Sequence, residues 1–314
     1  MDIVVRDQAA AKAGAQTSGL RNGMIGFMLA HEQFTVPQLV EIGAAADKAG
    51  FDFLAHSDHF QPWQANEGHS GAAWVTMAAL YPGRMFLGVG SGEALNEQAA
   101  TGSWPDWGER WARLIEAIGI IRRLWTGQHV SHGGKYYTVD ARLYDPPPEP
   151  IPILTAANGK KSMRLAGEHG DGLITDPATW KEFRGEWEAG AKAAGKDPAT
   201  MPVIAEIFAV VGGEEEAEKA AELWRFIPKA FESYFGIADP AEIQRRAAAE
   251  VPMDKVLDEW AIGTDPKVHI DAVQELFASG IKLVNIHVGQ MDQQRAIEFY
   301  GKEVLPALRR RRKS

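Results

Sequence analysis

The sequence predicts an α/β barrel of the TIM type, a parallel sheet enclosed by helices. Three observations carry that expectation. Short apolar runs alternate with helical patterns along most of the chain, and the length of 314 residues suits one barrel at least as well as two smaller domains. Polar side chains also gather just after the C-terminal ends of different apolar runs, where a barrel collects its chemistry. His31, Glu32, Asp58, His59, Trp63, Glu93, Asn96, Asn158 and Asp176 all stand at such positions, which no local motif requires.

Composition narrows the function. The chain is 45% hydrophobic and 24% charged, and it has no apolar run near the roughly 20 residues of a membrane span. A formal charge of −9 disfavours nucleic acid, and the single basic run, Arg309 to Lys313, reads as a solvated tail. With no cysteine in the sequence, disulfides, thiolate metal sites and cysteine nucleophiles are excluded, which fits a cytoplasmic protein. Residues 1–22 are small and polar and read as a flexible leader, leaving 23–314 as one barrel domain.

Taken in order, Met24 to Ala30 is an apolar run, and Val36 to Ala49 has helical spacing before a Gly50 stop. Phe51 to Ala55 begins a second strand that ends in the cluster His56-Ser57-Asp58-His59-Phe60-Gln61-Pro62-Trp63, and Ala72 to Leu80 reads as a helix. Met85 to Val89 is apolar without alternation, the pattern of a buried parallel strand, and glycines at 88, 90 and 92 then break it. Glycines between a strand and a helix let backbone approach a ligand, and the free N–H groups of the helix favour negative charge. Glu93 at that point is either a first-turn helix acid or a placed proton carrier, and the stretch alone favours the first. The helical sequel runs through Trp107 to Trp125, with Trp111 and Leu114 in the core and Arg110 on the polar side.

Residues 127–150 read as a hairpin excursion with a Gly-Gly turn. Further strands follow at Ile151 to Ala157, Gly172 to Thr175, Pro202 to Val211 and Lys282 to His287. Helices are expected over Ser162 to His169, Ala178 to Ala194, Glu214 to Trp224, Pro266 to Ser279 and Asp292 to Leu308, and 225–265 is an irregular, mostly helical insertion. This makes seven strands, centred near residues 26, 53, 87, 154, 173, 207 and 285, one short of a closed eight-stranded barrel.

The stretches SDHFQPW (57–63) and GVGSGEALNE (88–97), with AHEQF (30–34), YPGR (81–84) and AGEHGDGLIT (166–175), resemble the luciferase-like superfamily. Within it the chain is similar to the coenzyme F420-dependent glucose-6-phosphate dehydrogenase and hydroxymycolic acid dehydrogenase group. The resemblance implies an eight-stranded barrel, a deazaflavin cofactor and oxidation of an alcohol or sugar-type hydroxyl, in a homodimer. By the same resemblance His59 stands beside the substrate carbinol, Trp63 packs next to it, Glu93 serves the deazaflavin ring, and Glu32 is a second carboxylate near the substrate. Asp58, Ser91, Gly92, Asn96, Asn158 and Gly159 match cofactor-contacting positions. A histidine suits the hydroxyl proton because its unperturbed pKa is about 6.5, and a carboxyl in an apolar pocket suits the second proton task. His56 and His59 also invite a metal reading, but residues three apart on a strand face opposite sides.

Two departures from the family shape the expectations. The chain passes from AAWVTMAAL straight to YPGR, where relatives carry about 30 further residues, one βα unit. In the family that strand supports the deazaflavin ring through a bulge with a cis peptide. The sugar-phosphate grip is also not visible: Asp176 and Thr179 stand where a threonine and a lysine are expected, and Asp258-Glu259 replaces a lysine-containing pair. Carboxylates there repel a phosphate, although Lys229, Arg245 or Lys255 could still build a site for one. Two alternatives stand beside the dehydrogenase: a flavin mononucleotide-dependent monooxygenase of the same superfamily, and a non-catalytic deazaflavin-binding protein.

Overall fold

The computed structural model describes residues 21–57, 62–69, 86–141 and 151–311. The expected leader, the helix over Ala72 to Leu80, and the candidates Asp58 and His59 lie outside them. Eight strands form one parallel sheet that curls as a half-barrel with helices on its outer face. Along the sheet the order is β2 (Phe53–His56), β1 (Met24–Leu29), β10 (Leu283–Val288), β8 (Val203–Val210), β7 (Gly172–Thr175), β6 (Ile153–Ala156) and β3 (Leu87–Val89). A two-residue strand, β9 (Ala261–Ile262), adds to β8. Among the described residues β2 and β3 are the two ends of the path. They are also the strands between which the resemblance places the absent βα unit.

Side chains alternate across the sheet, and β8 shows the rule. Val203, Ala205, Ile207 and Ala209 point outward into the main core under the helices. Ile204 points inward and closes the N-terminal end of the barrel with Met24, Leu154 and Leu283, packed against Phe53, Phe86 and Ile174. Asp52 and Asp171, just before β2 and β7, each accept an N–H from the start of the strand alongside, Ile25 and Ile153, at 2.9 Å. These bonds set the register at the bottom, so the strand ends at the top meet at one level.

Local sequence explains the elements. The helix α1 (Val36–Ala49) starts where Gln38 Oε1 accepts the Thr35 N–H at 2.9 Å and ends at Gly50, whose φ of 98° is left-handed. The sequel to β3 is two helices, α2 (Ala94–Thr101) and α3 (Trp107–Leu124), parted at Gly102 and restarted by Asp106 capping Glu109 N. Residues 130–133 and 138–141 form the antiparallel hairpin β4–β5. The helices α4 (Lys160–His169), α5 (Pro177–Ala193), α6 (Glu214–Leu223) and α9 (Pro266–Ala278) fall within two residues of expectation. The last expected helix is instead α10 (Gln293–Phe299), a π turn over Tyr300–Val304, and α11 (Leu305–Arg311).

Two expectations are corrected. The strand expected as buried over Met85 to Val89 is described only as Leu87–Val89, and none of its residues is fully buried. Among the described residues it pairs on one side only, with β6, so an apolar pattern typical of an enclosed strand here lines an edge. Arg110, expected on the polar side of α3, is buried. Its guanidinium lies 3.9 Å from the Trp104 ring centre and donates to Pro105 O at 2.6 Å.

Candidate active site

At the top of β1 and β2 the candidates form a buried polar cluster. Glu32 is 2% exposed and its Oε2 accepts the Ser57 hydroxyl at 2.5 Å. Ser57 Oγ in turn accepts the His31 N–H at 2.9 Å. A buried carboxylate needs such donors to stay in place. His31 Nε2 faces His56 Nδ1 at 3.2 Å, so one ring donates and the other accepts. His56 is therefore committed to its neighbour rather than to a metal shared with His59.

Burial, and then the neighbouring His31, push the His56 pKa down to about 4. In the unfolded chain it titrates near 6.5. Between those values the unfolded state binds the proton and the folded state does not, so the contribution is fully present above pH 6.5 and is lost as pH falls toward 4. Urea unfolding at pH 7.5 and pH 5.0 should show about 2 kcal/mol more acid destabilisation for the parent than for His56→Gln. An equal pH dependence in the two proteins would refute the assignment.

Trp63 is 5% exposed and stacks on Phe226 with ring centres 5.0 Å apart, while Phe231 meets it edge-on at 6.3 Å. Its wall partners therefore come from the insertion.

At the other end of the strand path, β3 and β6 run side by side, and just past their paired residues Gly90 lies against Ala156. Gly92 has φ 79°, and a Cβ there would lie 2.6 Å from Glu97 Cγ, so both conformation and space call for glycine. Glu93 caps α2 with an extended backbone, φ −127° and ψ 151°, and its side chain makes no cap bond to the helix. Instead its Oε2 accepts Asn96 Nδ2 at 2.7 Å. Gly159 begins α4 at φ −172°, a conformation open to any residue, and an added Cβ would have only Ser162 Oγ within 4 Å, at 3.8 Å. The protein itself does not require glycine there; a ligand approaching the helix N–H groups would. A cavity of about 160 Å³ adjoins the Gly90–Ser91 loop, lined by Gly90, Ser91, Thr101, Ser103 and Arg110 among others.

The insertion touches both sets. Its Phe226 stacks on Trp63, and its Phe235 O accepts the Ala94 N–H at 3.1 Å, next to Glu93. Helices α7 (Pro240–Glu250) and α8 (Met253–Leu257) pack behind Phe226 and Tyr234 in one apolar cluster with Trp63. The cations considered for a phosphate are tied up: Lys229 pairs with Glu250 at 3.4 Å, Arg245 with Glu242 at 2.6 Å and Lys255 with Asp258 at 2.7 Å. Asp176 is spent as a helix cap, accepting Thr179 N at 2.7 Å and Thr179 Oγ1 at 2.6 Å. His132 binds Glu116 at 3.0 Å, and Glu116 also accepts the Tyr137 N–H at 2.9 Å, so His132 docks the hairpin on α3.

Sequence reasoning passed over a third polar group. Glu206 on β8 and Asn285 and His287 on β10 face into the barrel and bond to one another. The lone Glu206 in the apolar run VIAEIFAV and the alternating Asn285 and His287 in LVNIHV were the available signal.

A parallel barrel whose strand ends gather carboxylates around glycine-lined loops defines the class, and the family model described as luciferase-like monooxygenase matches residues 71–283. The chain belongs to that family. It is 43% identical to the F420-dependent hydroxymycolic acid dehydrogenase of Mycobacterium tuberculosis (strain ATCC 25618 / H37Rv), over 91% of this chain and 88% of that protein. It is 32% identical to the F420-dependent glucose-6-phosphate dehydrogenase of Nakamurella multipartita, over 90% and 96%. Among solved structures, an F420-dependent secondary alcohol dehydrogenase in complex with an F420-acetone adduct matches with a TM-score of 0.85 and 28% identity, over 92% of this chain and 99% of that one. The first alignment spans 323 positions, more than the 314 residues of the chain, so the mycobacterial protein carries residues with no counterpart here. No helix among the described residues is long and apolar enough to cross a membrane.

Proposed function

We propose that the protein is a coenzyme F420-dependent dehydrogenase that oxidises a secondary alcohol or sugar-type hydroxyl. The observation that carries this reading is the pair of carboxylates at the C-terminal ends of the strands: Glu32, buried and hydrogen-bonded to Ser57, and Glu93, half-buried after the glycines of the β3 loop. Relatives named as F420-dependent dehydrogenases support it. The open space before Gly159 and beside Ser91 fits a cofactor held by backbone. Ser91, Gly92, Asn96, Asn158 and Gly159 would hold it, with Asp58 from outside the described residues. Bound F420 supplies the hydride acceptor.

The residues of the chain do the rest. His59, also outside the described residues, takes the hydroxyl proton, and Trp63 with Phe226 keeps water from the carbinol. Glu32 orients the substrate hydroxyl, and Glu93 holds a proton at Oε1 or Oε2 for the ring. Because Lys229, Arg245 and Lys255 are paired with acids, a neutral alcohol is a better substrate than a sugar phosphate. The reading also includes a homodimer in the cytoplasm with no nucleic-acid partner, the last supported by the formal charge of −9.

The test is a parallel fluorescence titration with oxidised F420 and flavin mononucleotide, followed by an alcohol and sugar-phosphate screen for bleaching of bound F420. Selective F420 binding with bleaching by a neutral alcohol is expected. Selective flavin binding would mean a monooxygenase, and F420 binding without bleaching by any donor would mean a non-catalytic binder.

A further inference from the structure

Inside the barrel, one layer above the apolar plug, Glu206 sits midway along β8 opposite Asn285 on β10, with His287 two residues further on. Glu206 Oε2 accepts Asn285 Nδ2 at 3.0 Å, and Oε1 accepts the His287 Nδ1–H at 3.0 Å. Asn285 and His287 are 4% and 3% exposed, yet Asn285 Oδ1 and His287 Nε2 have no hydrogen-bond partner. Two orphaned polar atoms on one short strand are a standing cost unless something else satisfies them. Space opens beside them rather than over them: the two orphaned atoms have almost no exposed surface, while the Glu206 side chain that holds their residues keeps 33% of its exposure on a central strand.

The chemistry of the pair follows from Glu206. A carboxylate accepts only, so it turns the Asn285 amide nitrogen and the His287 Nδ1–H toward itself. That leaves Asn285 Oδ1 and, in the neutral ring, His287 Nε2, both acceptors. Among the described residues the one unpartnered donor against this group is the neutral indole N–H of Trp224; two acceptors and a carboxylate beside it suit a hydroxyl and disfavour phosphate or carboxylate. The surroundings are aromatic: Phe208 stacks on His287 at 4.2 Å, Trp224 meets it edge-on at 4.4 Å, and Trp260 stacks on Phe208 at 4.8 Å. Trp224 continues through Phe226 at 6.0 Å to Trp63 at 5.0 Å. The acceptors thus lie at the inner end of the wall that begins at the proposed reacting centre.

We propose that Asn285 Oδ1 and His287 Nε2 form a subsite that accepts a second hydroxyl of the substrate, with Glu206 as its positioning residue. The inference rests on the alcohol dehydrogenase reading and narrows its substrate to a neutral alcohol bearing a further hydroxyl group. A diol with its two hydroxyls on neighbouring carbons is the simplest probe.

The experiment compares trans-1,2-cyclohexanediol with cyclohexanol. Binding to the cofactor-free protein is read by quenching of tryptophan fluorescence, and KM with F420 present is read by bleaching. The parent should bind the diol about tenfold more tightly than cyclohexanol, the ratio expected of one good hydrogen bond. His287→Phe and Asn285→Leu should bring the diol down to the cyclohexanol level in both readouts. Glu206→Leu should do the same, and Glu206→Gln should recover part of the preference. Melting curves show that each variant is folded. No diol binding, no diol preference in the parent, or a preference retained in both His287→Phe and Asn285→Leu would overturn the subsite and leave the pair as a seat for ordered water. A diol preference without bleaching would leave the subsite standing and remove the dehydrogenase reading; bleaching by both alcohols alike would do the reverse.

Discussion

In Glu93→Gln, reduction of F420 by an alcohol donor is expected to fall by about 10²- to 10⁴-fold, the range of a lost general acid, with F420 affinity and melting temperature nearly unchanged. The alternative is that Glu93 is an ordinary first-turn acid, worth about 0.3–1 kcal/mol to its helix. The geometry separates these. An acid placed to stabilise α2 would accept one of its free N–H groups, but the Glu93 side chain makes no such bond and takes Asn96 Nδ2 at 2.7 Å instead. Glutamine keeps the size and can still accept from Asn96, so the variant removes the exchangeable proton and little else. Single-turnover bleaching at saturating F420 and donor reads the chemical step, and a fluorescence titration reads binding. Turnover within about threefold of the parent would return Glu93 to the helix-acid reading, since no general-acid role is that small. His59→Ala should lower turnover comparably by removing the acceptor of the hydroxyl proton.

What could be read from the sequence follows the range of the forces involved. All seven expected strands are present, because each is an apolar run cut by glycine or a polar cluster, and that pattern is local. The limits of α1 were legible to the residue, since Gln38 and Gly50 write both ends into the chain. The two-residue β9 was not legible; it exists only because Ala261 and Ile262 lie alongside Ala209 and Val210. Arg110 was misplaced for the same reason. Its helix position is polar by periodicity, but Trp104 and Phe235 cover it from a preceding loop and from the insertion. At the site, Glu32 and Glu93 could be picked out as polar residues at strand ends. Their partners could not, because Ser57 reaches Glu32 across two strands and Phe226 reaches Trp63 from an insertion more than 160 residues later. The Glu206, Asn285 and His287 group escaped because each residue alone looks like a blemish in an apolar strand, and only the β8–β10 register brings them together.

Restoring the missing βα unit between Leu80 and Tyr81, a join outside the described residues, should raise the melting temperature by about 5–10 °C and tighten F420 binding at least tenfold. The seam is a physical liability as it stands: β2 and β3 end the strand path among the described residues, and Leu87, Gly88 and Val89 keep partial exposure although their sequence is that of an enclosed strand. About 30 added residues at the usual 0.05–0.15 kcal/mol per residue would contribute about 2–4 kcal/mol. At roughly 2–4 °C per kcal/mol for a domain of about 150–250 residues, that is about 4–16 °C, a range that brackets the stated rise. The affinity gain has a separate source. Among the described residues no strand joins the Ser91 to Glu93 loop to the Ser57 side, so an added strand there would supply a wall to a cofactor lying across the barrel mouth. Preorganising that wall removes an ordering cost from binding. The corresponding segment of the mycobacterial relative is the natural graft, because the two chains are 43% identical over 91% of this one. A graft that folds but melts no higher and binds F420 no more tightly would mean that the shortened barrel is complete without it. A higher melting point with unchanged F420 affinity would separate the two effects, assigning the seam to stability and the cofactor grip to the β3 and β6 loops alone.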